Sequence, residues 1–133
     1  MILPDLPRLI EAARCWARGS YSTEAAVELL IQHETWLHRS DFLRMGVEYA
    51  PAHYSGTSYA VFCWDTIHTG LSNGLLPCSN SEAAVLRIAL SLAEGHPVDL
   101  GPAITRLDRT NLAHVLAAIR HAAGDRSAWV IAP

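Results

Sequence analysis

Ser58-Tyr59-Ala60-Val61-Phe62-Cys63-Trp64-Asp65-Thr66-Ile67-His68-Thr69-Gly70-Leu71 is the stretch on which the fold class turns. Its first half, Tyr-Ala-Val-Phe-Cys-Trp, has the aromatic and β-branched content of a buried strand. Its spacing points the other way. Ala60, Cys63, Trp64, Ile67 and Leu71 recur at i, i+3, i+4, i+7 and i+11, a helical stripe, and Ser58 stands where an N-cap belongs. The spacing predicts a helix over Tyr59 to Leu71, and with it an all-α chain.

The segments before this stretch carry helix signals of their own. Asp5 can cap a helix from Leu6 to Arg18, with Pro7 in its first turn and Gly19 beyond its end. Leu6, Leu9, Ile10, Ala13, Trp16 and Ala17 fall on one side of it, and Arg8, Glu11 and Cys15 on the other, near solvent. Ser22 and Glu24 start a second helix that runs to about His33 with Ala26, Leu30 and His33 as its stripe. Ser40 caps a short helix from Asp41 to about Glu48, and Ala50 to Thr57, with Pro51 and Gly56, reads as a turn-rich connection.

Behind the stretch, Ser79 and Glu82 have the S-x-x-E spacing of a capping box, opening a broadly apolar helix that stops at Gly95 and Pro97. Asp99 caps a short helix from Leu100 to Leu107, and Asp108 caps a last long one ending at Gly124. That helix has Leu112, Val115, Leu116 and Ile119 as its predicted core face and His114, Ala117 and His121 opposite. The tail Ser127-Ala128-Trp129-Val130-Ile131 is too apolar to hang in water, so it is expected to dock as a short extended arm, on the helices or on a neighbouring subunit. The sum is an all-α fold, a compact single-domain bundle over residues 1–133 with roughly five or six helices and a short extended C-terminal arm.

Composition narrows the function classes. With 133 residues, 50% apolar and 17% charged, the chain is one domain's worth and far from the signature of disorder. Its 10 basic residues are all arginine against 13 acidic ones, a net charge of −3, which argues against a general binder of nucleic acid or acidic membrane. Cys15, Cys63 and Cys78 are odd in number and form no C-x-x-C pair, which fits neither a disulfide framework nor a zinc ribbon. Met1 to Asp5 has no leader character and no apolar run approaches a membrane span of about 18 residues, so a soluble, cytoplasmic protein is expected.

The sequence offers few chemical motifs. His33-Glu34-Thr35-Trp36-Leu37-His38 resembles the zinc motif H-E-x-x-H with one residue too many; five positions on a regular helix rotate roughly 140°, so His33 and His38 do not converge. His114 and His121 share a face but stand about 10.5 Å apart along the axis, with Ala118 between them, and read as a solvated face or part of a symmetric interface. His53, His68 and His96 have no local carboxylate or thiol at ligand spacing and are given no role. Cys78, just before the Ser79 cap, is the cysteine whose setting most favours a thiolate, against the plainer reading of a small buried residue. Arg109, Thr110 and Asn111 open what reads as the second helix of a helix-turn-helix, though Asp108 would face phosphates there. Trp36 lies off its helix's inferred apolar face and, if exposed, is a candidate partner contact, as is Trp129 in the tail.

Leu76-Pro77-Cys78-Ser79-Asn80-Ser81-Glu82, Leu86-Arg87-Ile88-Ala89, Gly95-His96-Pro97-Val98-Asp99-Leu100 and Leu107-Asp108-Arg109-Thr110-Asn111 together resemble a type of small hypothetical protein from high-GC actinobacteria. The resemblance covers the second half of the chain. It implies a cytoplasmic helical fold and carries over no catalytic residue, cofactor or metal. The function expected from the residues is a non-enzymatic protein interaction module, a homodimer or a binder of another protein, using Trp36, His114, His121 and Trp129. The alternatives are a small DNA-binding regulator using Arg109, Thr110 and Asn111, and a small metal- or thiol-dependent enzyme.

Overall fold

The computed structural model describes residues 2–53 and 56–129. It is mostly helical, and it is not all-α. The described elements are α1 (Leu6–Ala17), α2 (Tyr21–His33), a 3-10 turn (Trp36–His38), α3 (Ser40–Gly46), β1 (Val47–Ala50), β2 (Tyr59–Phe62), α4 (Trp64–Ser72), α5 (Asn80–Glu94), α6 (Leu100–Thr105) and α7 (Arg109–Ala122).

The helix expected over Tyr59 to Leu71 therefore begins as a strand. Val47 and Glu48, expected to finish the third helix, and Ala50, expected to open the connection after it, belong instead to a strand that pairs antiparallel with Tyr59 to Phe62, Val47 opposite Phe62 and Ala50 opposite Tyr59. Burial in β2 alternates, with Ala60 and Phe62 buried between exposed Tyr59 and half-buried Val61. That is the period of two that aromatic and β-branched content anticipates. The helical stripe is real from Trp64 onward, where Trp64, Ile67 and Leu71 are buried; Ala60 in the strand and Cys63 at the N-cap extended it falsely towards the N-terminus.

Local capping chemistry set most helix starts. Asp5 accepts from the Arg8 backbone N–H, Asp108 from that of Asn111 at 2.7 Å, and Ser79 and Glu82 complete the capping box in both directions. Gly95 closes α5 in the left-handed region at φ 72°. Two expected caps moved: α2 is capped by Ser20 rather than Ser22, and α3 starts at Ser40 itself behind Arg39.

Buried side chains from α1 to α7 form one cluster. α2 runs through its middle, packing on both α5 and α7, with Ala25 to Val27 and Leu29 to Ile31 all buried. The two-stranded sheet is held from below by α1. A run of rings links the halves: Trp16 stacks on Phe62 at 5.9 Å, Phe62 meets Trp64 at 5.1 Å and Phe42 at 6.4 Å, and Phe42 meets Trp36 at 5.5 Å. α3 and α4 approach closely because Gly46 and Gly70 lie at the contact; a methyl group at Gly46 would overlap Ile67, and one at Gly70 would overlap Met45.

The C-terminal arm is corrected in its described part. Ser127 to Trp129 form a turn rather than an extended segment, fastened where Asp125 Oδ1 accepts from the Ser127 backbone N–H at 2.9 Å and hydroxyl at 2.7 Å. Val130 and Ile131, the rest of that expected arm, lie outside the described residues.

Candidate interaction surface

α7 is turned by roughly 90° from the orientation its apolar spacing predicts, about one residue's step round the helix. Val115 and Ala118 are buried, with half-buried His114 and His121 flanking them, whereas Leu116 is 51% exposed and Ile119 40% exposed. Val115 and Ala118 lie within the one buried cluster to which α2 contributes, and α7 packs extensively on α2. Polar partners for histidine also stand on the inner side.

Those partners form a chain. Glu24 Oε1 lies 2.8 Å from His121 Nε2, and the indole Nε1–H of Trp129 donates to His121 Nδ1 at 2.8 Å. An indole nitrogen only donates, so Nδ1 is the bare nitrogen and Nε2 carries the proton that faces Glu24. Glu24 Oε2 also accepts from the Gly19 backbone N–H at 2.9 Å. Burial works to raise the Glu24 carboxyl, yet the hydrogen bonds from His121 and Gly19 hold it below its ordinary value. Tyr21 meets the His121 ring edge-on, and the Arg126 guanidinium lies 5.2 Å over the Tyr21 ring. A cavity of about 160 Å³ between α1, α2 and α7 is lined by Arg14, Arg18, Glu24, Glu28 and His121, among others. There Arg14 clamps Glu28 with two bonds of 2.9 Å, and Gln32 adds a third at 2.8 Å.

The expected contact residues therefore divide. Trp36 is corrected outright: it is 0% exposed, its Nε1–H donates to the Glu82 carbonyl at 3.2 Å, and the Arg39 guanidinium covers its ring at 4.7 Å. It was misjudged because Glu34 enters the left-handed region at φ 59° and ends α2, so that helix's periodicity does not reach Trp36. His114 and His121 are not a solvated face, and Trp129 is partly buried against His121. In place of those side chains, α7 exposes a flank of Arg109, Leu112, Leu116, Ile119 and Ala123, spaced by three and four, with Leu112 half-buried.

The remaining candidates do not assemble. The same end of α2 separates half-buried His33 from exposed His38, and among the described residues no three His, Cys, Asp or Glu side chains are grouped to hold a metal ion. Burial pushes the His33 imidazole below its ordinary value, with Glu82 and Asp108 pulling it up and His114 down. Cys78 is exposed, not buried, and its thiol is raised by desolvation and by Glu82 against Arg39 and Arg87, the wrong direction for an activated nucleophile. Arg109 and Thr110 are exposed and Asn111 is half-buried. One pairing went unread in the sequence: His96 Nε2 lies 2.9 Å from Asp65 Oδ1, and His68 stacks on His96 at 4.1 Å. Asp65 and His96 are 31 positions apart, so no local spacing reveals them.

Comparison of the chain with protein-family models, with curated proteins and with solved structures returns no match.

Proposed function

We propose that this protein is a non-enzymatic helical interaction module whose occupant is a second copy of itself, docked along the exposed flank of α7. The observation that carries the reading is the rotation of α7: Leu116 and Ile119 face water while His114 and His121 are drawn half under cover. Leu116 and Ile119 are about half exposed, so covering them recovers roughly half of the 1.5–3 kcal/mol that full burial of such a side chain is worth, and a helix left in that orientation is stabilised by a covering surface.

Self-pairing is favoured by spacing. Arg109, Leu112, Leu116, Ile119 and Ala123 follow the alternating three-and-four step of a two-helix seam. An antiparallel two-fold about Leu116 sets Leu116 against its counterpart and Arg109 of one helix beside Ala123 of the other. Antiparallel packing also opposes the helix dipoles. A helix of 14 residues is about 21 Å long, so the buried area falls at the small end of specific interfaces and the affinity belongs in the micromolar range.

Sedimentation velocity or light scattering from about 5 µM to 1 mM tests this. The expected result is a reversible dimer that Leu116→Glu converts to a monomer while leaving the circular dichroism unchanged. A wild-type monomer at 1 mM, or a dimer indifferent to both Leu116→Glu and Ile119→Glu, overturns it.

A further inference from the structure

A second feature lies away from α7, where α5 passes over the returning chain. Asn80, Ala83, Ala84 and Arg87 stand at i, i+3, i+4 and i+7 on α5 and therefore share one face. The connection through Pro97, Val98 and Asp99, and then α6 with Pro102, Ala103 and Arg106, lines the other side. Between them lies a cavity of about 620 Å³, within the ~300–1,000 Å³ typical of small-molecule sites. Ala84 and Ala103 in its lining are each nearly inaccessible to water, and half-buried Ala83 and Val98 with exposed Pro97 and Pro102 supply its apolar surface.

The charges round it are unusual for this protein. Two guanidinium groups, Arg87 and Arg106, face one carboxylate, Asp99, a local balance of +1 in a chain whose net charge is −3. Among the described residues Arg39 and Arg87 are the two half-buried arginines. Arg39 spends its donors on Asp41 and on the Pro77 carbonyl at 2.7 Å. Arg87 has no hydrogen bond or ion pair with any described residue, although its five donors open onto the largest cavity described. Polar groups that leave bulk water are normally matched by a partner, and a planar fork is matched best by a carboxylate.

We infer that the cavity between α5 and α6 is a binding site for a small organic monocarboxylate with a compact apolar body, its carboxylate gripped by the Arg87 fork and neighboured by Arg106, its body resting on Ala83, Val98 and Pro102. Asp99 on the rim disfavours a second negative charge, which separates a monocarboxylate from inorganic phosphate. The site is independent of the α7 flank, so either can fail without the other.

Amide NMR titration of the full chain with benzoate, benzamide and inorganic phosphate tests the assignment. Benzoate is expected to give saturable, millimolar shifts centred on Ala83, Ala84 and Ala103. Benzamide, of the same shape without the charge, is expected to bind at least about tenfold more weakly. Arg87→Gln is expected to lose about tenfold or more, Arg87→Lys to retain part of the binding because charge survives without the fork, and Asp99→Asn to bind more tightly. Equal binding of benzoate and benzamide, full binding by Arg87→Gln, phosphate binding with benzoate silent, or no saturable shift by about 50 mM benzoate would each overturn it.

Discussion

His121 accepts from one donor-only neighbour at Nδ1 and faces one carboxylate at Nε2, so a single ring fastens the Trp129 turn to α2. Tyr21, Glu28, Arg14, Arg18 and Arg126 complete the charged and titratable surroundings. At constant pH the Trp129 indole resonance, identified by its loss in Trp129→Phe, is expected to move in His121→Phe, which removes its acceptor. A resonance unmoved in His121→Phe would exclude His121 as that acceptor. Glu28 sets a pH dependence. Burial works to raise its carboxyl, but the bonds from Arg14 and Gln32 keep it below its ordinary value. The folded state thus favours the ionised form: the stabilisation is complete above the ordinary glutamate range of about 4.3 and is lost as the pH falls through the depressed folded value. Glu28→Gln is expected to cost about 1–2 kcal/mol at pH 7 and progressively less towards pH 3, read as converging thermal midpoints.

Elements meet closely where the sequence has glycine for no visible local reason. Gly46 ends α3 and Gly70 lies inside α4, and neither has the positive φ that would explain it by conformation. Each is explained by the helix facing it. Ile67 is branched and fully buried, with nowhere to retreat, whereas Met45 is flexible and half-buried. Gly46→Ala is therefore expected to destabilise by about 1–3 kcal/mol, and Gly70→Ala by less, a ranking that thermal denaturation of the two variants checks directly. An equal or reversed ranking would mean that the α3–α4 contact yields elsewhere. The same contact ends the third helix early: Gly46 O accepts from Cys63 N at 2.8 Å, which starts the ladder that draws Val47 to Ala50 out of helix.

For the whole molecule, Trp36 and Leu116 make opposite demands. Trp36→Ala empties the end of the ring network that joins the sheet to α5 and is expected to cost about 3–5 kcal/mol, enough to leave little folded protein by circular dichroism. Leu116→Glu should leave stability nearly unchanged and act on self-association alone, because its side chain is half in water before any partner arrives. A Trp36→Ala protein as stable as the wild type would contradict the burial on which the core rests. Together the two variants separate folding from assembly.

Helix beginnings and ends were legible because they are short-range chemistry: Ser79 with Glu82, Asp108 with Asn111 and Gly95 past α5 each act within three or four positions, whatever surrounds them. The side that a helix turns inward was not legible for α7, since Leu112, Val115, Leu116 and Ile119 satisfy the period and only packing against α2, remote in sequence, selects the side that is buried. The strand at Tyr59 to Phe62 was hidden for a related reason: a ladder needs its partner, and Val47 and Glu48 look like the end of a helix, and Ala50 like the start of a loop, until they are paired. Trp36 over Glu82, Asp65 beside His96 and Glu24 beside His121 join positions 31 to 97 residues apart, distances over which spacing carries no information and packing alone chooses the neighbour.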